Sequence, residues 1–160
     1  MKTRSLLLLF ITLGFVLFAV GLYAATTVED VIQMENKGYS AHKKGIVTFS
    51  HKKHSEEYGA KNPDLYKNGC GECHHDKDGK PLTLKMGDEV QGCFECHNKP
   101  GEKPKGKDAP KLSKKEQLAF HAEAIHANCK GCHKAFNKAN NSTNAPITCN
   151  KCHPKKDKEE

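Results

Sequence analysis

The chain has no tryptophan, only three methionines, and aromatic residues at just 7% of its 160 positions. Apolar residues make up 36%, and a good share of them lie in the first 25 positions. What remains is too poor in large apolar side chains to bury an ordinary core for its length. Such a chain is either disordered or folds around something other than its own side chains. Its eight cysteines favour the second interpretation.

The long uninterrupted apolar run is confined to the N-terminus. Lys2 and Arg4 precede it, residues 6–25 carry no charge, and Ala24 and Ala25 are small enough for a cleavage site. The pattern predicts an export signal, although 20 apolar residues can also span a bilayer as a helix. We therefore expect residues 1–25 to be a signal peptide or an N-terminal membrane anchor. Residues 26–160 are expected to form one exported domain.

The chain also lacks a strong excess of one charge sign. Without Lys2 and Arg4, 24 basic side chains face 19 acidic ones, and no basic stripe is interleaved with aromatic residues. We therefore expect no nucleic-acid partner. The densest basic segment is residues 99–115, with seven lysines against two acidic residues. Its prolines and glycines predict a loop, which is either a solvated linker or a surface that steers an acidic redox partner.

All eight cysteines fall in one repeated pattern, C-x-x-C-H. The four copies are Cys70–Cys73–His74, Cys93–Cys96–His97, Cys129–Cys132–His133 and Cys149–Cys152–His153. This pattern is the attachment signal of a c-type haem, in which two cysteines form thioethers and the next histidine ligates the iron. The sequence therefore predicts four covalently bound haems, attached outside the cytoplasm.

Other uses of the cysteines fit less well. Cys73 and Cys93 are separated by 19 residues, and Cys132 and Cys149 by 16, so the spacing alone permits two zinc ribbons. A zinc site, however, does not require a histidine directly after each second cysteine. Reduced zinc thiolates are also hard to maintain in an oxidising compartment. Thioredoxin-like dithiols would need βαβ surroundings, which the sequence does not show.

Six histidines remain for the opposite faces of four irons: His42, His51, His54, His75, His121 and His126. Histidine as the sixth ligand gives a low reduction potential, whereas methionine raises it. Only Met34 and Met86 follow the N-terminal segment, and neither is needed. Six-coordinate irons leave no open position for a substrate, so the spare histidines favour an electron carrier over an enzyme.

Three elements together resemble class III cytochromes, the cytochrome c3 and c7 group. The first is V-x-F-x-H-x-x-H at Val47–His54. The second is the tandem pair His74–His75, and the third is the stretch from His126 to His153. The resemblance covers about residues 40–155. It implies a small haem-cored domain of mostly short α-helices and irregular loops with little β structure. Any β structure should be a small two-stranded piece near residues 28–49.

The resemblance also implies a pairing of ligands, one pair for each iron. The pairs are His74 with His51 for haem I, His97 with His75 for haem II, His133 with His54 for haem III, and His153 with His126 for haem IV. The sequence departs from the family in two ways. Some members have four residues between the cysteines of haems II and IV, where this chain has two, and residues 58–68 resemble an addition.

His121 competes with His126 for haem IV. Ser113 and Glu116 form a capping box, and a helix continued from it carries Leu118 and His121 on one face, directed at a haem. The position of His126 just before Cys129 favours it as the ligand.

Three further expectations concern the surroundings of the haems. His121 would then bond a propionate. His42 is expected at the surface. Phe49 and Phe94 are expected to pack against porphyrin.

The resemblance implies a periplasmic, low-potential electron carrier of anaerobic respiration. Its partners would be hydrogenases, formate dehydrogenases or membrane cytochrome complexes of sulfate- or metal-reducing bacteria. One alternative is a membrane-anchored relay subunit of a quinol-linked complex, held by residues 6–25. A less favoured alternative is a reductase for metal ions or sulfur species, which requires one five-coordinate haem.

Overall fold

The computed structural model describes residues 28–156, so the predicted signal or anchor segment lies outside the described residues. The elements are β1 (Val31–Gln33), β2 (Thr48–Ser50), a π-helix (Lys53–Tyr58), α1 (Gly59–Lys61), 3₁₀ turns at Pro63–Leu65 and Gly69–Glu72, α2 (Cys93–Cys96), α3 (Lys114–Leu118), α4 (His121–Ala139) and α5 (Cys149–Cys152). Only α4 is longer than six residues. The predicted fold class, short helices and irregular loops with little β structure, is confirmed. Within residues 28–156 no helix is long and apolar enough to cross a membrane.

The predicted two-stranded piece is present. β1 and β2 pair antiparallel, with Ile32 opposite Phe49 and Val31 opposite Ser50. The two strands are joined by residues 34–47, which we call the β1–β2 loop. Because β2 ends directly before His51, the strand pairing fixes where the helical turn carrying His51 and His54 begins.

Protein side chains alone form almost no core. Of the apolar residues between positions 28 and 156, only Ala124 is buried, at 9% exposure. No described side chain has less than 2% of its surface exposed. Ordinary domains of this length bury many large aliphatic and aromatic side chains. The described side chains thus form very little apolar interior, in agreement with the composition.

The capping box at Ser113 is confirmed. The Ser113 hydroxyl accepts from the amide of Glu116 (3.3 Å), and the Glu116 carboxylate accepts from the amide of Ser113 (2.7 Å). The helix that it starts, however, ends at Leu118. The predicted continuous helix, with Leu118 and His121 on one face, is wrong.

A backbone contact from a distant segment breaks this helix. Phe120 is extended (φ −80°, ψ 121°). Lys99 donates to the carbonyl of Ala119 (3.0 Å) and accepts from the amide of His121 (2.8 Å). The Lys99 ammonium also lies 5.2 Å from the centre of the Phe120 ring, within cation–π range. These bonds replace intrahelical ones, and α4 therefore begins afresh at His121.

Candidate haem sites

Every C-x-x-C pair lies in a helical turn. The turns are the 3₁₀ turn Gly69–Glu72, which Cys73 caps at its C-terminal end, α2, the middle of α4, and α5. Residues three apart on a helix lie on the same face, so the two sulfurs of each motif point to one side. The histidine that follows stays close to the turn: His133 lies within α4, and the amides of His74, His97 and His153 donate to the carbonyl of the first cysteine of their motif (3.0, 2.9 and 2.7 Å). Each motif thus presents two thiols and one imidazole together, which is the set that haem attachment uses.

None of the eight thiols, all of which lie among the described residues, is paired in a disulfide. Burial, and then the charges of nearby cysteines led by Cys129, raise the pKa of Cys73 to about 11. Burial is also the main cause of the raised pKa of Cys93, Cys129, Cys132 and Cys152.

The cysteines and histidines also do not gather into a bare metal site. Between residues 28 and 156, no three histidine, cysteine or acidic side chains converge where they could hold a metal ion. Instead, six of the histidines form three ring pairs.

Three pairs of histidine rings lie next to each other, one pair nearly parallel (His54–His133, 25°) and two edge-on (His75–His97, 62°, and His126–His153, 89°). The separations of ring centroids are 6.3 Å for His54–His133, 5.8 Å for His75–His97 and 6.2 Å for His126–His153. A metal–imidazole bond is about 2 Å long and the ring centre lies about 1 Å farther, so two imidazoles sharing one iron have centroids about 6 Å apart. All three pairs fit this spacing. Each pair consists of the histidine of a C-x-x-C-H motif and a histidine that is not part of its own motif.

The fourth expected pair, His51 and His74, lies within electrostatic range. Burial, followed by the charges of His51 and then His75, lowers the pKa of His74. Burial also lowers the pKa of His54, although its hydrogen bond to Ser50 opposes the shift. A lowered pKa keeps imidazole neutral, which is the form that ligates metals.

Six of the eight expected ligands are oriented by a backbone carbonyl. The Nδ1 contacts are His51 to Glu29 (3.1 Å), His54 to Ser50 (2.8 Å), His75 to Asp76 (2.7 Å), His97 to Leu118 (2.5 Å), His133 to Pro146 (2.6 Å) and His153 to Gly45 (2.9 Å). A carbonyl can only accept, so Nδ1 must carry the proton. Nε2 is then left with a free lone pair for a metal, in the arrangement typical of ligating histidines.

The tandem histidines serve two different pairs because their backbone is extended. His75 forms an antiparallel bridge with Pro81, and the amide of Leu82 donates to the carbonyl of His74 (3.0 Å). In extended backbone, successive side chains point to opposite faces. His75 therefore meets His97, while His74 is turned towards His51.

Helix α4 distinguishes His126 from His121. His126 and His133 are seven residues apart and so lie on the same face, about 10 Å apart along the axis. His121 precedes His126 by five residues, which rotates it about 140° around the helix. Accordingly His126 lies opposite His153, whereas the Nδ1 atom of His121 bonds the hydroxyl of Tyr39 (3.0 Å).

The remaining aromatic residues pack around these histidines. Phe49 lies 4.5 Å from the ring of His54 and 4.9 Å from that of His51. His42 was expected at the surface. It is only partly exposed, because its ring stacks on Tyr39 at 5.1 Å.

Two comparisons with known proteins agree. The chain matches the family model of the class III cytochrome c family over residues 26–153. It is 36% identical over 113 residues to the cytochrome c3 of Maridesulfovibrio salexigens. The aligned residues make up 71% of this chain and 82% of that protein. No solved structure matches the chain significantly. The family match contains all eight cysteines and ends at the last C-x-x-C-H histidine.

Proposed function

This chain belongs to the class III cytochrome c family, and from that membership we propose that it is a periplasmic, low-potential electron carrier with four bis-histidine haems. Membership confirms the resemblance drawn from the sequence and makes the chain a multihaem electron-transfer protein with covalently bound haem c. The number of haems, their ligands, the low potential and the location are our proposals. The observation that supports them best is the three adjacent histidine pairs, whose ring centroids are separated by the distance expected for two imidazoles on one iron.

Each haem site is assigned two sulfurs and two imidazoles. The sulfurs are Cys70 and Cys73, Cys93 and Cys96, Cys129 and Cys132, and Cys149 and Cys152. The imidazole pairs are His74 and His51, His97 and His75, His133 and His54, and His153 and His126. When bound, haem supplies a reversible one-electron centre. The protein holds it rigidly, so that little rearranges when an electron arrives or leaves.

The surroundings of the ligands favour low potentials. Histidine on both faces of the iron favours the oxidised state more than a histidine–methionine pair does. The Nδ1 hydrogen bonds to backbone carbonyls make the ligating nitrogens more basic. With both axial positions filled there is no place for a substrate, so we assign the chain to the carriers rather than to the reductases.

We further propose that the protein acts after export. Thioether attachment takes place outside the cytoplasm, and residues 1–25 have the composition of an export signal. The haem-attachment motifs and the N-terminal segment therefore both indicate a location outside the cytoplasm.

The proposed partners are redox proteins with acidic surfaces, such as a hydrogenase, a formate dehydrogenase or a membrane cytochrome complex. Of the lysine-rich segment 99–115, predicted to be a loop, residues 99–113 form a loop, and Lys114 and Lys115 begin α3. The Lys105 side chain of this loop stays 65% exposed although it pairs with Glu102 (2.5 Å). A cluster of exposed cations accelerates the approach of an acidic partner through long-range attraction.

A potentiometric titration of the exported protein tests this function. We expect four one-electron steps, all below the potential of a histidine–methionine cytochrome, because no ligand pair contains methionine. The reduced protein should not bind carbon monoxide. If one haem binds carbon monoxide, an axial position is open, and the reductase alternative replaces the carrier.

A further inference from the structure

We propose that the β1–β2 loop is a strap that positions the histidines of two haem sites, holding site II through Gly38 and Tyr39 and site IV through Gly45. The proposal rests on the proposed function, because it assumes the ligands assigned to sites II and IV. It gives a role to His121, which faces none of the eight assigned ligands at ring-contact distance.

At site IV the loop holds a ligand directly. The carbonyl of Gly45 accepts the Nδ1–H of His153 at 2.9 Å, although the two residues are 108 positions apart. A Cβ atom at Gly45 would lie 2.3 Å from the carbonyl oxygen of Pro154 and 2.8 Å from its Cγ. Both distances are shorter than any real Cβ contact. Any side chain at position 45 must therefore push the loop away from the residue that follows His153.

At site II the loop holds the haem motif through an aromatic ring. A Cβ atom at Gly38 would lie 2.3 Å from Cζ of Phe94. Phe94 lies between Cys93 and Cys96, and its ring packs edge-on against His121 at 5.2 Å. A side chain at position 38 therefore displaces the ring that anchors the C-x-x-C turn of site II.

The Tyr39 hydroxyl makes the second contact at site II. It bonds Nδ1 of His121 (3.0 Å), and the amide of His121 in turn donates to the carbonyl of Lys99, two residues after His97. Burial, followed by the charge of His97, lowers the pKa of His121. The tyrosine thus ties the loop to the start of α4 beside the ligand of site II.

Each contact should act on one haem only. A hydrogen bond from Nδ1 makes the ligating nitrogen more basic and favours the oxidised iron. Displacing Gly45 weakens that bond and should raise the reduction potential of haem IV. Displacing Phe94, which lies between the cysteines of site II, or removing the Tyr39 hydroxyl, which bonds His121, changes contacts beside site II and so should shift haem II.

The test uses four variants of the exported holoprotein: Gly45→Ala, Gly38→Ala, Tyr39→Phe and the control Ala41→Ser. Ala41 is an exposed residue of the same loop, and its replacement by serine adds one heavy atom, as glycine to alanine does. The potential of each haem is followed by NMR of its methyl signals during stepwise reduction.

We expect Gly45→Ala to raise the potential of haem IV and leave haem II unchanged. Gly38→Ala and Tyr39→Phe should shift haem II and leave haem IV unchanged, and Ala41→Ser should shift neither. Tyr39→Phe keeps the ring, so it remains informative if a glycine variant fails to fold. Equal shifts at all four haems, or Gly45→Ala and Tyr39→Phe both behaving like Ala41→Ser, would overturn the proposal. A wild-type protein without four low-spin haems would instead contradict the proposed function.

Discussion

Replacing His126 by glycine converts one of the four haems from low-spin to high-spin, whereas replacing His121 by glycine leaves all four low-spin. The reason is the geometry of α4. It places the ring centroid of His126 6.2 Å from that of His153, whereas the Nδ1 atom of His121 bonds the hydroxyl of Tyr39. Removing an axial imidazole leaves the iron five-coordinate or bound to water. One of the four proposed haems should therefore change its visible and electron paramagnetic resonance spectra.

Added imidazole provides the control for this experiment. The glycine at position 126 leaves a space of the right shape, so free imidazole should restore the low-spin spectrum of His126→Gly and leave His121→Gly unaffected. If His121→Gly gives the high-spin haem instead, the ligands of haem IV have been assigned to the wrong histidine.

Chain without haem should show no cooperative thermal unfolding, whereas the holoprotein should melt in a single sharp transition. Ordering the backbone costs about 1–2 kcal/mol per residue, and full burial of one large apolar side chain returns about 1.5–3 kcal/mol. Among residues 28–156, the only buried apolar side chain is the methyl group of Ala124. The protein part alone cannot offset the cost of ordering so many residues.

Calorimetry and far-ultraviolet circular dichroism check this prediction. Residues 26–160 produced in the cytoplasm, where c-type haem is not attached, supply the haem-free chain, and the exported protein is the matched control. A cooperative transition in the haem-free chain would mean that side-chain packing carries the fold, and that haem is not its core.

Local signals predicted the local features well. The reciprocal bonds of Ser113 and Glu116 involve only residues three apart, so the sequence is enough to place this helix start. The two-stranded piece was also predicted correctly. Its position follows the V-x-F-x-H-x-x-H element, whose Phe49 lies in β2.

Features that depend on distant segments were missed. The helix from Ser113 was expected to run through His121, and the backbone of Lys99 interrupts it from outside. The carbonyls that orient the histidines also have no sequence signature, because every residue carries one.

The ligand pairs could be predicted only in part from local sequence patterns. The C-x-x-C-H motifs name one histidine of each pair from local spacing alone. The partner of each came from the family resemblance, since His54 and His133 are 79 positions apart and no spacing rule connects them. His54 follows β2 and His133 lies in α4, and their ring contact depends on how these two distant elements pack, which no pattern in the sequence specifies.

The intact mass of the exported protein, measured together with its visible spectrum, tests the four haem sites most directly. We expect the chain cleaved after the N-terminal segment plus four haems, with a wholly low-spin spectrum in the oxidised state. Four haems on an uncut chain would keep the haem sites but indicate a membrane-anchored relay. Fewer than four haems, or bound zinc in their place, would contradict the assignment of a haem to every C-x-x-C-H motif.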